Sequence, residues 1–253
     1  MESNILKMIT IADVASMANA VCGLLAIFAI FMGNSILCAQ LLILAVIFDS
    51  IDGTLARKFN HNPINTIFGE NIDSLADVIS FGVAPAVILY TLSSSYWIVV
   101  PCIIVLLCGV LRLTRYNTML VEQVGPTKTF VGIPIPVTSF LLSGLLLSSV
   151  MNSLIISVLI IIVSILMISE IPYPKIKDMK LIIICGLLCI LCLIPGVNEV
   201  LYLIPSYLLV VLTIIYIFGT LLYELTGLTN ILDLTRIRNK SNDTSKLQSL
   251  FKR

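Results

Sequence analysis

Apolar residues run along this chain in long blocks separated by short polar turns, and the period of two expected of a half-buried strand is absent from them. The blocks cover 16–34, 35–57, 67–92, 97–118, 133–150, 152–170, 180–196 and 199–226. Each is judged against the ~20 residues that carry a helix across hydrocarbon. The pattern predicts an all-α fold: a polytopic membrane helix bundle of about eight transmembrane helices. Residues 1–15 differ, because apolar and polar positions interleave there at helical spacing. That pattern predicts an N-terminal amphipathic interfacial helix leading into the first span. A transmembrane domain then covers 16–226, and a polar, basic tail covers 227–253.

Composition strengthens the membrane reading. The chain is 58% hydrophobic and 11% charged over 253 residues, where a soluble domain carries about 25% charge. A net charge of +1 directs it to no class of partner, nucleic acid included. The placement of charge says more. With eight spans, all fifteen Lys and Arg fall on the side of the termini, and the opposite turns (Gly33-Asn34, Ser93-Ser94-Ser95, Met151-Asn152, Pro195 to Asn198) hold none. Lys and Arg stay in the cytoplasm, so a cell-membrane protein with both termini cytoplasmic is expected. Polar and charged residues precede a first apolar run that is too long for a cleavable signal. The seven cysteines lie within apolar runs and read as small buried hydrophobes; Cys189 and Cys192 have Cys-x-x-Cys spacing, but no second such pair accompanies them. Tyr96 and Trp97 stand at a span edge, as interfacial anchors do. The tail reads as a solvated end or a weak contact with anionic lipid.

Against this background one stretch stands out: residues 49–77, DSIDGTLARKFNHNPINTIFGENIDSLAD. Asp49 and Asp52 are three apart, and Asp73 and Asp77 are four apart. Both spacings put two side chains on one helix face. The pairs sit at the ends of apolar runs joined by a short loop, so two antiparallel helices would point four carboxylates at one another. Such a cluster must take up protons or bind cations. Oxygen ligands, with His61 the lone histidine nearby, suit a hard divalent ion: Mg2+, Mn2+ or Ca2+. Gly53, Ala56 and Gly69 leave room for a ligand to approach the backbone, and Arg57 offers a fork of donors for phosphate oxygens. Together these residues describe a bound pyrophosphate. His61, in the loop, reads as a solvated histidine.

Asp49-x-x-Asp52-Gly53-x-x-Ala56-Arg57 followed by Gly69-x-x-x-Asp73-x-x-x-Asp77 resembles the signature of the CDP-alcohol phosphotransferase family. Eleven residues separate Arg57 from Gly69, a longer stretch than members usually have, with the excess around Asn60-His61-Asn62-Pro63. Beyond the signature, Asp73 to Pro85, Leu111 to Asn117, Phe130-x-Gly132-Ile133-Pro134-x-Pro136, Ile171 to Lys175 and Asn19-x-x-Cys22-Gly23 are similar to the phosphatidylserine synthase branch. The likeness spans roughly residues 10–180, while the last two spans look generic.

The resemblance implies a catalytic core at 35–136, with Asp49, Asp52, Asp73 and Asp77 holding two divalent cations on the pyrophosphate of CDP-diacylglycerol or CDP-archaeol. Asp52, Gly53, Ala56, Arg57, Thr66 and Gly69 would line the CDP-lipid pocket, with Asp13 and Ser16 from the first helix. A serine hydroxyl would attack the lipid-bearing phosphorus, CMP would leave, and Asp77 is the candidate base. Arg112, Arg115 and Lys128 are cations for the serine carboxylate, and Ser80 and Asn117 are further serine-binding candidates. The resemblance also implies a homodimer. A glycerol phosphate or inositol phosphate acceptor remains an alternative within the family. A divalent-cation transporter is the rival from another class; Arg57 beside the acids would repel a permeating cation, and a cluster at one membrane edge is not at the midplane expected for alternating access.

Overall fold

A computed structural model describes residues 5–59, 63–122, 129–150, 152–174 and 179–227. Its elements in chain order are the helices α1 (Ile5–Met8), α2 (Ile11–Phe31), α3 (Ser35–Phe59) and α4 (Pro63–Asp77), then a π-helical segment (Val78–Val83) and α5 (Ala84–Thr91). A short turn of tighter helix (Tyr96–Ile98) leads into α6 (Val99–Glu122). Strand β1 (Thr129–Val131), α7 (Pro136–Leu147), α8 (Ser153–Ile168), strand β2 (Pro172–Pro174), α9 (Met179–Leu193), α10 (Val197–Val200) and α11 (Ile204–Leu225) complete the described chain.

Among the described residues, five stretches are long and apolar enough to cross a membrane: Ile11–Phe31, Ser35–Arg57, Asn65–Thr91, Tyr96–Met119 and Ile204–Glu224. Shorter apolar helices occupy Pro136–Leu147, Ser153–Ile168 and Ile182–Leu193, where the sequence pattern placed three further spans. The chain divides into one compact unit over Met1–Ile214 and another over Ile215–Arg253.

The N-terminus departs from the expected helix over 1–15. The chain breaks after α1, and Thr10 caps α2: its hydroxyl accepts from Asp13 N at 3.4 Å, and the Asp13 carboxylate accepts from Thr10 N at 2.6 Å. This reciprocal pair satisfies two of the donors that a helix start leaves unpaired, so residues 11–15 belong to the first long helix. At its far end Gly33, at φ 75, turns the chain, and Asn34 accepts from Leu37 N at 2.9 Å to start α3. α2 and α3 then pack along their length, and α2 also rests on α4.

The third long helix is interrupted for a reason written in its sequence. Pro85 has no N–H to donate back along the helix and crowds the preceding turn. The backbone widens into π geometry just before it, with Ala84 N bonding Ile79 O. The carbonyls of Ser80 and Phe81 then take bonds from α7: Ser139 Oγ reaches Ser80 O at 3.0 Å, and Thr138 Oγ1 reaches Phe81 O at 2.9 Å. α7 is almost wholly buried, and a Cβ on Gly144 would come within 2.7 Å of Val210, so its small residues set the packing distance.

An element outside the all-α expectation joins two loops. β1 and β2 pair antiparallel, with Phe130 opposite Tyr173. Tyr173 is fully buried, and burial pushes its phenol up to about 12. Arg115 ties this ribbon to the end of α8, donating to Val131 O at 2.8 Å, Met167 O at 2.8 Å and Ile168 O at 2.9 Å. Gly132, at φ 76, lies against the Met167 carbonyl and the Arg115 guanidinium, and a side chain there would strike both.

Candidate active site

Antiparallel packing of α3 and α4 brings the two halves of the acidic stretch together. Carboxylate oxygens of Asp49, Asp52 and Asp73 lie within 4.8 Å of one another. Asp77, one turn beyond Asp73, is buried and neighbours Asp49, Asp73 and the Arg112 guanidinium. Asp73 Oδ1 is buried without a hydrogen-bond partner. Buried polar atoms without partners are rare, and like charges this close repel unless a cation lies among them. The donor set is oxygen alone. The arrangement therefore fits a hard divalent cation.

A cavity of about 410 Å3 opens beside the acids, within the size range of small-molecule sites. Its wall includes Asp52, Gly53, Ala56 and Arg57 from α3 and Thr66, Gly69 and Asp73 from α4. Asp13 and Ser16 of α2 complete a second side, with Ala12. Every residue that the family likeness assigned to the nucleotide thus borders one space. Glu70, Tyr116 and Asn117 border it too. Arg57 is exposed, its Nη2 donating to Thr54 Oγ1 at 3.2 Å, and so stands at the cavity's open side. Gly53 has open space around it apart from Arg57 Nη1, 3.5 Å from where a Cβ would sit.

α2 supplies donors to the acids. Ser16, Asn19 and Gly23 follow at spacings of three and four and share one helix face. Ser16 Oγ donates to Asp52 Oδ2 at 2.6 Å. Asn19 Nδ2 donates to Asp77 Oδ1 at 3.1 Å. Gly23 lets the helix approach Ser80, whose hydroxyl donates to Asn19 O at 2.8 Å. In the sequence, Asn19 stands out only through the likeness of Asn19-x-x-Cys22-Gly23 to the phosphatidylserine synthase branch. A polar residue three positions from Ser16 inside an apolar helix was the available signal. Asp13 likewise has a local duty, the helix cap, which the Thr-x-x-Asp spacing announces.

The serine candidates separate. Arg112 is 7% exposed; its Nε donates to Ile133 O at 2.9 Å, and its guanidinium stands 6.0 Å from the Tyr116 ring centre and close to Asp77 and Asp49. Arg115 spends donors on three carbonyls at the ribbon. Ser80 is fully buried, its hydroxyl given to Asn19 O. Asn117 pairs with Ser74, Nδ2 to Oγ at 2.9 Å, at the edge of the cavity. Lys128, His61 and the basic tail from residue 228 on lie outside the described residues.

Comparison with known proteins identifies similar chains. The family model for CDP-alcohol phosphatidyltransferase matches residues 9–218. An archaetidylserine synthase from Methanothermobacter thermautotrophicus is 37% identical over 180 residues, covering 70% of this chain and 75% of that protein. A CDP-diacylglycerol–serine O-phosphatidyltransferase from Methanocaldococcus jannaschii is 43% identical over 143 residues, 56% of this chain and 62% of its own length. A Bacillus subtilis protein of the same name is 33% identical over 130 residues, 50% of this chain and 70% of that protein.

Proposed function

The chain belongs to the CDP-alcohol phosphatidyltransferase family, and we propose that it transfers the phosphatidyl or archaetidyl group of a CDP-lipid to the hydroxyl of L-serine, releasing CMP. The observation that carries this reading is the acidic cluster of Asp49, Asp52 and Asp73 at the wall of a cavity that Arg57 also borders. The acceptor comes from the relatives, which are named for serine.

Asp49, Asp52, Asp73 and Asp77 would hold two divalent cations, Mg2+ or Mn2+. Bound there, the ions would draw charge from the diphosphate oxygens and lower the barrier to phosphoryl transfer. The chain's own groups do the rest. Gly53, Ala56 and Gly69 leave space for the cytidine and its phosphates, and Arg57 pairs with phosphate oxygens at the open side. Arg112 takes the serine carboxylate, its Nε already held by Ile133 O and its charge balanced by the acids beside it. With the carboxylate held there, the serine hydroxyl reaches Asp77. The hydroxyl oxygen attacks the lipid-bearing phosphorus, its proton passes to Asp77, and the bond from that phosphorus to the CMP oxygen breaks. Positioning of this kind contributes to the acceleration, because the reactants are already aligned. Arg115, with its donors on the ribbon, holds β1 to the end of α8.

The eight apolar helices read as the transmembrane bundle, with both termini and the active site cytoplasmic by the placement of Lys and Arg. A homodimer is proposed on the family likeness alone.

Purified protein incubated with one CDP-lipid, Mn2+ and a panel of alcohols tests the reading, with CMP release as readout. Serine should give the highest kcat/KM. Release with glycerol phosphate or inositol phosphate, and none with serine, would overturn the acceptor. Metal flux in vesicles lacking CDP-lipid, with no CMP release at all, would favour a transporter.

A further inference from the structure

We propose that Asn19 is a positioning residue for the reaction: its side-chain amide fixes the orientation of the Asp77 carboxylate. This rests on the reading of Asp77 as ligand and base, and deepens it.

Asn19 is fully buried in α2, on the helix face that also carries Ser16 and Gly23. Its Nδ2 donates to Asp77 Oδ1 at 3.1 Å, while its Oδ1 is buried and has no hydrogen-bond partner. An amide has two unlike ends, and the orientation follows from whichever contact dominates. Here it is the contact with Asp77. Turned over, the amide would set its carbonyl lone pairs against the carboxylate and lose its one polar contact. An unpaired buried carbonyl is costly, and it is tolerated here for the sake of the bond at the other end.

The residue cannot drift from this place. Its backbone carbonyl accepts from Ser80 Oγ at 2.8 Å, and Ser80 O accepts from Ser139 Oγ at 3.0 Å. Asn19 is thereby joined to the segment that carries Asp77 twice, through its side chain and its main chain. With one Asp77 oxygen taken by Asn19, the other is left for the acidic cluster and the serine proton. Ser16 stands in the same relation to Asp52, with a hydroxyl in place of an amide. Groups that orient a metal's ligands in this way commonly change affinity by 10–100-fold when removed.

The test compares the full-length protein with Asn19→Ala, Asp77→Asn and the double variant. Mn2+ binding is followed by electron paramagnetic resonance of the free ion, and steady-state kinetics are measured in parallel. Asn19→Ala should weaken Mn2+ binding about tenfold and lower kcat by a similar factor while KM for the CDP-lipid stays put. Added to Asp77→Asn it should weaken Mn2+ binding no further, since the group it acts through has changed. Asn19→Ser, which keeps a small polar group, should show the same pattern and replaces Asn19→Ala if that variant does not fold. Wild-type Mn2+ affinity and kcat in the Asn19 variants, beside a strong defect in Asp77→Asn, would overturn the positioning role and leave the role of Asp77 standing. An undiminished Asn19→Ala effect on the Asp77→Asn background would also overturn it. Normal Mn2+ binding and turnover in Asp77→Asn would remove the reading of Asp77, and this inference with it.

Discussion

Gly23 and Ser80 touch so closely that a Cβ on Gly23 would lie 2.5 Å from Ser80 Oγ and 2.7 Å from Ser80 Cα. The contact lets α2 seat against the π-helical segment, and it keeps Asn19 and Ser16 within reach of the acids. Gly23→Ala should therefore push α2 outward. Overpacking of this kind costs about 1–3 kcal/mol. The expected outcome is a lowered Tm together with weaker Mn2+ binding, read by thermal unfolding of the detergent-solubilised protein and by Mn2+ titration.

Removal of divalent cations should abolish the reaction. Chelator-treated protein is expected to release no CMP, with activity returning on addition of Mn2+ or Mg2+. Asp73, whose Oδ1 is buried and without a partner, is the proposed ligand whose loss should matter at little structural cost. Asp73→Asn keeps the shape, removes the charge, and should lower kcat by about 100-fold or more. Turnover that survives chelation would sink the metal-dependent reading.

Arg112→Lys distinguishes a serine contact from a purely structural charge. Lysine keeps the charge but loses the planar fork that can bond Ile133 O and a carboxylate at once. Loss of a charge-assisted hydrogen bond worth about 1.5–3 kcal/mol corresponds to a rise in KM for serine of about tenfold to a hundredfold. KM for the CDP-lipid should be unchanged. An equal rise in both constants would show that Arg112 supports the whole site and has no special relation to serine.

Gly132→Ala should act on stability more than on chemistry. The position combines φ 76 with close contact to the Met167 carbonyl and the Arg115 guanidinium. A side chain there is strained by the backbone and blocked by its neighbours, at a cost of about 1–3 kcal/mol. Thermal unfolding should register this loss, and Arg115→Ala, which frees three carbonyls at the ribbon, should lower Tm as well.

The sequence by itself determined a good deal. Blocks of apolar residues dictate helices in a membrane because no other local structure satisfies the backbone there. Paired aspartates at spacings of three and four in adjacent runs dictate a shared acidic site, since helical geometry and a short connection leave them little else to face. The positions proposed for the nucleotide (Asp13, Ser16, Asp52, Gly53, Ala56, Arg57, Thr66 and Gly69) border one cavity. The 67–92 run was legible as one apolar helix, while the widening of its backbone before Pro85 is a finding of the structure.

Tertiary structure decided what depends on partners far apart in the chain. Ser80 and Arg115 look alike in sequence as polar residues near the site, yet Ser80 gives its hydroxyl to Asn19 O and Arg115 gives its donors to the ribbon and the end of α8, while Arg112, three residues earlier, faces the acids. The role of α2 was hidden for the same reason. Ser16 and Asn19 reach carboxylates 36 and 58 residues away, and such pairings are set by how helices pack, which periodicity within any one helix does not encode.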